Sequence, residues 1–106
     1  MTGYSSGSSI NKLGGSLINI ALPASAVTVI AAAANVNGLI LRQGTIVQTI
    51  NVGANLQDSL NTILMFLNGI GVAQLTLPLF IPPGRAVVVT GAATSAGSFN
   101  LSYDIL

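Results

Sequence analysis

The sequence predicts an all-β domain: a single antiparallel β-sandwich or jelly-roll-like barrel over residues 13–106, preceded by an extended N-terminal arm, residues 1–12. Three observations predict it. Apolar and polar residues alternate with a period of two in several short runs, as they do on half-buried strands. Gly, Pro and Asn clusters separate those runs at the spacing of β-turns. The chain has 106 residues, enough for one hydrophobic core and too few for two.

The arm, Met1 to Ser9, reads Met-Thr-Gly-Tyr-Ser-Ser-Gly-Ser-Ser, a linker composition that packs little by itself. It is expected to be pinned by its own domain or by a neighbouring subunit, with Tyr4 as the anchor, because an aromatic ring offers large contact area at small entropic cost. Leu17 to Leu22 forms the first strand and Pro23 stops it. Ala26-Val27-Thr28-Val29-Ile30 and Leu39-Ile40-Leu41-Arg42 flank Asn35-Val36-Asn37-Gly38, and the Asn-Gly pair predicts a hairpin through a type I′ turn. Gln43-Gly44 bends the chain into a further strand, Thr45 to Ile50. Leu75 to Ile81 is a strand that Pro82-Pro83-Gly84 turns. Arg85 to Thr90 and Ser98 to Leu106 then read as a closing hairpin, with Phe99, Leu101, Tyr103 and Ile105 facing one way and Ser98, Asn100, Ser102 and Asp104 the other.

Between them, Ala54 to Leu67 supports two readings. Leu56, Leu60, Ile63, Leu64 and Leu67 fit a helical face, while Leu60, Thr62, Leu64 and Phe66 alternate. The β-rich context favours a loop to Ser59 and a strand from Leu60. The uncharged stretch from Ser16 to Ala34 resembles a signal peptide or a membrane span, but Asn19, Pro23, Ser25 and Thr28 interrupt it and no basic residue precedes it within the first ten. Buried strands account for it better.

Composition narrows function by exclusion. Half of the residues are hydrophobic (51%), 5% are charged and the net charge is +1; soluble domains carry about a quarter charged residues. The charged set is Lys12, Arg42, Arg85, Asp58 and Asp104. With no His, no Cys and no Glu, a Ser/His/Asp or Cys/His nucleophile cannot be assembled. Two Asp residues make neither a transition-metal site nor a calcium loop, and no Gly-rich phosphate cradle occurs. No cofactor or small-molecule substrate is therefore expected. Three cations cannot track a nucleic-acid backbone. Such a surface suits a protein whose exterior is covered by other proteins. The candidate contact residues are Tyr4 and Lys12 on the arm, and Arg42 and Arg85, isolated cations beside apolar strands. An arginine so placed serves either to protect a strand edge or to anchor an interface.

The order Leu77-Pro78-Leu79-Phe80-Ile81-Pro82-Pro83-Gly84-Arg85, a Val run, a small-residue turn, and then Leu101-Ser102-Tyr103-Asp104-Ile105-Leu106 resembles the small all-β structural proteins of tailed bacteriophage virions. The segment Ala34-Asn35-Val36-Asn37-Gly38-Leu39-Ile40-Leu41-Arg42 is similar to them too. The resemblance runs from Ala26 onward, and its motifs are strand and turn grammar rather than active-site residues. It implies a capsid decoration (cement) protein on the virion surface, assembled in the host cytoplasm. Such a protein forms homo-oligomers, with trimers favoured, and binds the major capsid protein. A tail, fibre-attachment or head–tail accessory protein is the alternative, and a small membrane-active β protein a third.

Overall fold

A computed structural model describes residues 14–75 and 78–106. The expectations for residues 1–12, including Tyr4 and Lys12, lie outside the described residues. Nine strands are present among those described: β1 (Ser16–Ala21), β2 (Ala26–Ile30), β3 (Leu39–Gln48), β4 (Gly53–Asp58), β5 (Ile63–Asn68), β6 (Gly71–Leu75), β7 (Leu79–Ile81), β8 (Val87–Thr90) and β9 (Gly97–Ile105). One sheet, here sheet A, has the order β1-β9-β3-β6, with β7 also paired to β3; the other, sheet B, has the order β2-β8-β4-β5. Every pairing is antiparallel.

The pairs nest. β4 pairs β5, β3 pairs β6 and β7, β2 pairs β8, and β1 pairs β9. The chain is thus one long folded ribbon wound into two facing sheets, which is the jelly-roll arrangement. The expected all-β sandwich is correct, and the winding decides between its two versions.

Winding also corrects two expected hairpins. β2 and β3 belong to different sheets, as do β8 and β9. The Asn35–Gly38 segment is therefore a crossover, begun by a single 3-10 turn at Ala32–Ala34. Asn35, 1% exposed, clips that crossover to the next one: its Nδ2 donates to the carbonyls of Pro82 (2.7 Å) and Arg85 (3.0 Å), and its backbone carbonyl accepts from Gly84 N. Gly38 has φ +105° and lies under the Phe80 ring, where a Cβ would collide. The glycine that signals a tight hairpin here serves an aromatic's close approach.

Three further boundaries differ from expectation. Leu39–Arg42 and Thr45–Ile50 form one strand, β3, rather than two. Its register against β9 slips between Leu41 and Gln43, so Arg42 is the extra residue of a bulge. The bulge moves the inward phase from Leu39 and Leu41 to Gly44, Ile46 and Gln48, and that phase change reads as a bend in sequence. Residues 54–58 are not a loop but strand β4, with Ala54, Leu56 and Asp58 inward; an Asp at a core position hides the alternation. Leu60 stands in the turn after β4, exposed, where Asn61 takes φ 66°. Last, the run expected as one strand from Leu75 to Ile81 is divided: Leu75 ends β6, whose other residues lie before it, and Leu79–Ile81 is β7, the two pairing with successive stretches of β3.

The core lies between the sheets. Leu39, Leu41, Ile46, Phe99 and Leu101 from sheet A face Leu56, Met65, Val87 and Val89 from sheet B. Each such side chain contributes about 1.5–3 kcal/mol by leaving water. Gly44 leaves space that the Met65 methyl fills from the opposite sheet: a Cβ there would stand 2.9 Å from Met65 Cε.

Candidate interaction surface

The antiparallel registers give the sandwich two distinct ends. One holds the start of β1, β3, β5 and β8, the finish of β2, β4, β7 and β9, and the crossovers at 31–38 and 82–86. Here it is termed the crossover end. The other holds residues 22–25, 49–52, 69–70 and 91–96, none of them charged. All four charged side chains among the described residues lie at or near the crossover end.

Both arginines singled out in the sequence are there, each paired within the chain. Arg42 Nε donates to Asp104 Oδ2 at 2.9 Å, with both side chains about one-third exposed. The bulge at Arg42 is what turns it toward Asp104 across β9. Gly15 N donates to Asp104 Oδ1 at 2.6 Å. That backbone N–H, followed by the Arg42 guanidinium, holds the Asp104 carboxyl below the ordinary carboxylate range.

Arg85 Nη1 donates to Asp58 Oδ2 at 2.9 Å. Asp58 is 2% exposed, and its Oδ1 accepts from the N–H groups of Leu60 and Thr62, both at 2.9 Å. Burial pushes this carboxyl up. The Thr62 N–H, the Arg85 guanidinium and the Leu60 N–H together outweigh burial and hold it below the ordinary range. Asp58 thus closes the β4–β5 turn and ties it to the 82–86 crossover, which Ser59 also bonds through Ala86. Sequence reasoning places Asp58 in a loop that runs to Ser59; its inward phase on a strand is concealed by the residue type itself.

The same end gathers exposed apolar side chains. Of the eleven large hydrophobic residues that stand exposed among those described, six are here: Val36, Leu60, Ile63, Phe80, Ile105 and Leu106. Leu106 N bonds Gly38 O, which ties the C-terminal strand to the crossover that carries Val36. Phe80 rests on Gly38. The apolar side chains are therefore mounted on a braced framework. Their exposure ranges from 48% to 70%. Alternation does not foretell their exposure, since five of the six occupy loop, turn or strand-terminal positions.

No three or more His, Cys, Asp or Glu residues gather among the described residues, and both carboxylates are engaged by arginines. No helix among the described residues is long and apolar enough to cross a membrane. Comparisons with protein-family models, curated proteins and solved structures return no match for this chain.

Proposed function

We propose that this chain is a non-enzymatic structural protein of a virus particle, a capsid decoration (cement) protein that self-associates and docks on the shell through its crossover end. The observation that carries the reading is the make-up of that end. Six large apolar side chains are exposed there, while the four charges beside them are paired with one another, Asp58 out of solvent and the other three only about one-third exposed. A surface with that balance gains little from water and much from an apolar partner. Arginine–carboxylate pairs at its border give orientation rather than affinity.

Two further features support it. The first described residue, Gly14, precedes β1 at this end, so the twelve-residue arm with Tyr4 and Lys12 joins the domain where docking is proposed. Fully extended, twelve residues reach about 40 Å, comparable to the 46 Å long axis of the domain and enough to engage a neighbouring subunit. The fold offers analogy only: jelly rolls serve in viral shells and elsewhere. The oligomer is proposed as a trimer and the partner as the major capsid protein. A tail or head–tail accessory role would use the same end against a different partner.

The test is attachment. Val36→Asp and Leu60→Asp put a charge on exposed positions and leave the fold intact. Each is expected to weaken co-sedimentation with particles at least tenfold. Deleting residues 1–12 is expected to weaken self-association, measured by analytical ultracentrifugation, while the core stays folded. Particles that bind both Asp variants like the parent, or that lack the protein altogether, overturn the proposal.

A further inference from the structure

On the side of the sandwich away from β1 and β2, sheet A ends in β6 and sheet B ends in β5. An edge strand turns a row of backbone N–H and C=O groups away from its sheet, and folded domains shield such rows with charges, prolines or bulges. The opposite side shows these devices. β2 follows Pro23 and is bulged between Thr28 and Ile30, and β1 begins where Gly15 N engages the Asp104 carboxylate. β5 is bulged too, at Leu64. β6 has none of them. Its register against β3 is unbroken from Gly71 to Leu75, and no charge occurs from Ser59 to Gly84, a run that covers β5, β6 and β7. Exposed apolar side chains border the strand instead: Val72 on it, Ile70 in the turn before it and Phe66 on β5, each more than half exposed.

The ladder fixes the direction of the edge groups. Thr49 N donates to Ala96 O, so Val47 and Thr45, in the same phase, turn their backbone groups to β9. Gln48, Ile46 and Gly44 turn theirs to β6. Their partners Gly71, Ala73 and Leu75 therefore bond β3, and Val72 and Gln74 point N–H and C=O out of the sheet. Among the described residues no strand meets them there.

We infer that β6 pairs with β6 of a second copy, antiparallel about a two-fold axis at Ala73, which joins the two five-stranded sheets into one. The row of outward backbone groups selects an extended strand as the occupant, because only another strand meets N–H and C=O in alternation. The strand fits itself. With Ala73 opposite Ala73 of the second copy, Val72 faces Gln74 on both sides of the axis, and each of these pairs exchanges two N–H···O bonds. The side chain on the axis is small, so two copies stand opposite without crowding. An identical partner also brings no charge to an edge that has none, so no ion is stripped of water on contact. The available area suffices. β6 and β7 lie end to end along the ten residues of β3, about 33 Å at the usual rise, and the domain measures 19 Å through its thinnest dimension. That panel amounts to roughly 600 Å² per copy, the low end of what a stable pair buries. Such a contact is isologous and uses up both β6 edges, so it closes at two.

The contact does not rest on docking at the crossover end, and its test needs only the purified full chain. Amide hydrogen exchange reads the pairing without any substitution. Gly71, Ala73 and Leu75 are protected at every concentration, because β3 holds them. Val72 and Gln74 are expected to gain protection as concentration rises from about 1 µM to about 1 mM, in step with a dimer seen by analytical ultracentrifugation. Gln74→Pro removes two of the four bonds at a position whose N–H faces away from the sheet. It is expected to keep the parent's circular dichroism and to weaken the dimer about thirtyfold. Ala73→Cys, in a chain without cysteine, is expected to give a covalent dimer on mild oxidation, since residues so opposed stand about 4.5 Å apart at Cα. A chain that stays monomeric to about 1 mM overturns the inference. So does a dimer whose Val72 and Gln74 amides exchange freely, or one that a folded Gln74→Pro leaves intact. A trimer held at the crossover end, with these two amides unprotected, overturns it while the proposed function stands.

Discussion

Asp58 is the residue whose replacement most directly tests how this end is held. Its two carboxylate oxygens divide the work. Oδ1 accepts from both Leu60 N and Thr62 N, and Oδ2 accepts from Arg85. Asp58→Asn keeps an oxygen for the two backbone donors but sets an NH2 group against a guanidinium. It therefore isolates the ion pair, with an expected loss of about 2 kcal/mol, the worth of one charge-assisted bond. Asp58→Ala removes all three bonds. The freed donors sit on exposed turn residues and on a one-third exposed arginine, so water recovers part of their energy. The expected total is about 4 kcal/mol, a large share of the 5–15 kcal/mol that holds a domain of ordinary stability.

Urea unfolding of the parent and both variants reads these values, provided that m is unchanged. Acid adds a second axis. The carboxyl is held below its unfolded value of about 3.9, so its contribution is complete above that value and is lost as pH falls through the folded pKa. Asp104, also lowered, acts in the same window in every variant. The gap between the parent and Asp58→Asn isolates Asp58: it should be constant from pH 7 to about 5 and shrink below pH 4. An Asp58→Ala loss under about 1 kcal/mol, or a gap that does not change down to pH 2, would refute the clamp.

Other positions give sharp expectations. Gly97→Ala should abolish folding, read as loss of the cooperative thermal transition, because its Cβ would land inside the Val47 carbonyl, whereas Gly44→Ala meets the flexible end of Met65 and a Leu101 methyl and should cost about 1 kcal/mol. Asn35→Ala removes two bonds between crossovers and should cost about 2 kcal/mol in urea, and Asn35→Asp more, since an acceptor-only carboxylate would face two carbonyls.

Strand identity was largely legible because alternation reports a buried face directly. Ala26–Ile30 stands as read, and β1 and β9 differ from their expected bounds by a residue. Pairing was not legible. Asn37-Gly38 and the small residues from Gly91 to Gly97 carry hairpin chemistry, yet both link the two sheets, and local chemistry cannot say whether the next strand folds back beside its predecessor or crosses to the facing layer. The β4 strand was missed because Asp58 occupies a core phase, and only the turn donors and Arg85, the latter 27 residues away, make that tolerable. The β3 bulge was missed because a one-residue slip looks, in sequence, like the end of one strand and the start of another. Of the four candidate contact residues, Arg42 and Arg85 are brought to one end, but nothing in their flanking residues foretells that each meets an Asp.

That shared location bears on why so few charges suffice. A domain with net charge near zero has weak electrostatic protection against association, and here the four described charges offer less than their number suggests, because they cancel in pairs at 2.9 Å. Two solvated arginines at the crossover end would have to be stripped of water before an apolar partner could approach, at several kcal/mol per ion. Paired in advance, and with Asp58 already desolvated by its own turn, they lower that cost before docking begins. The pairs also stiffen the framework that presents the apolar residues: one joins β3 to β9 behind Ile105, and the other joins the β4–β5 turn behind Leu60 to the 82–86 crossover. Preorganisation and low desolvation cost together favour association, so under the proposed docking the scarcity of charge and its internal pairing would act in the same direction.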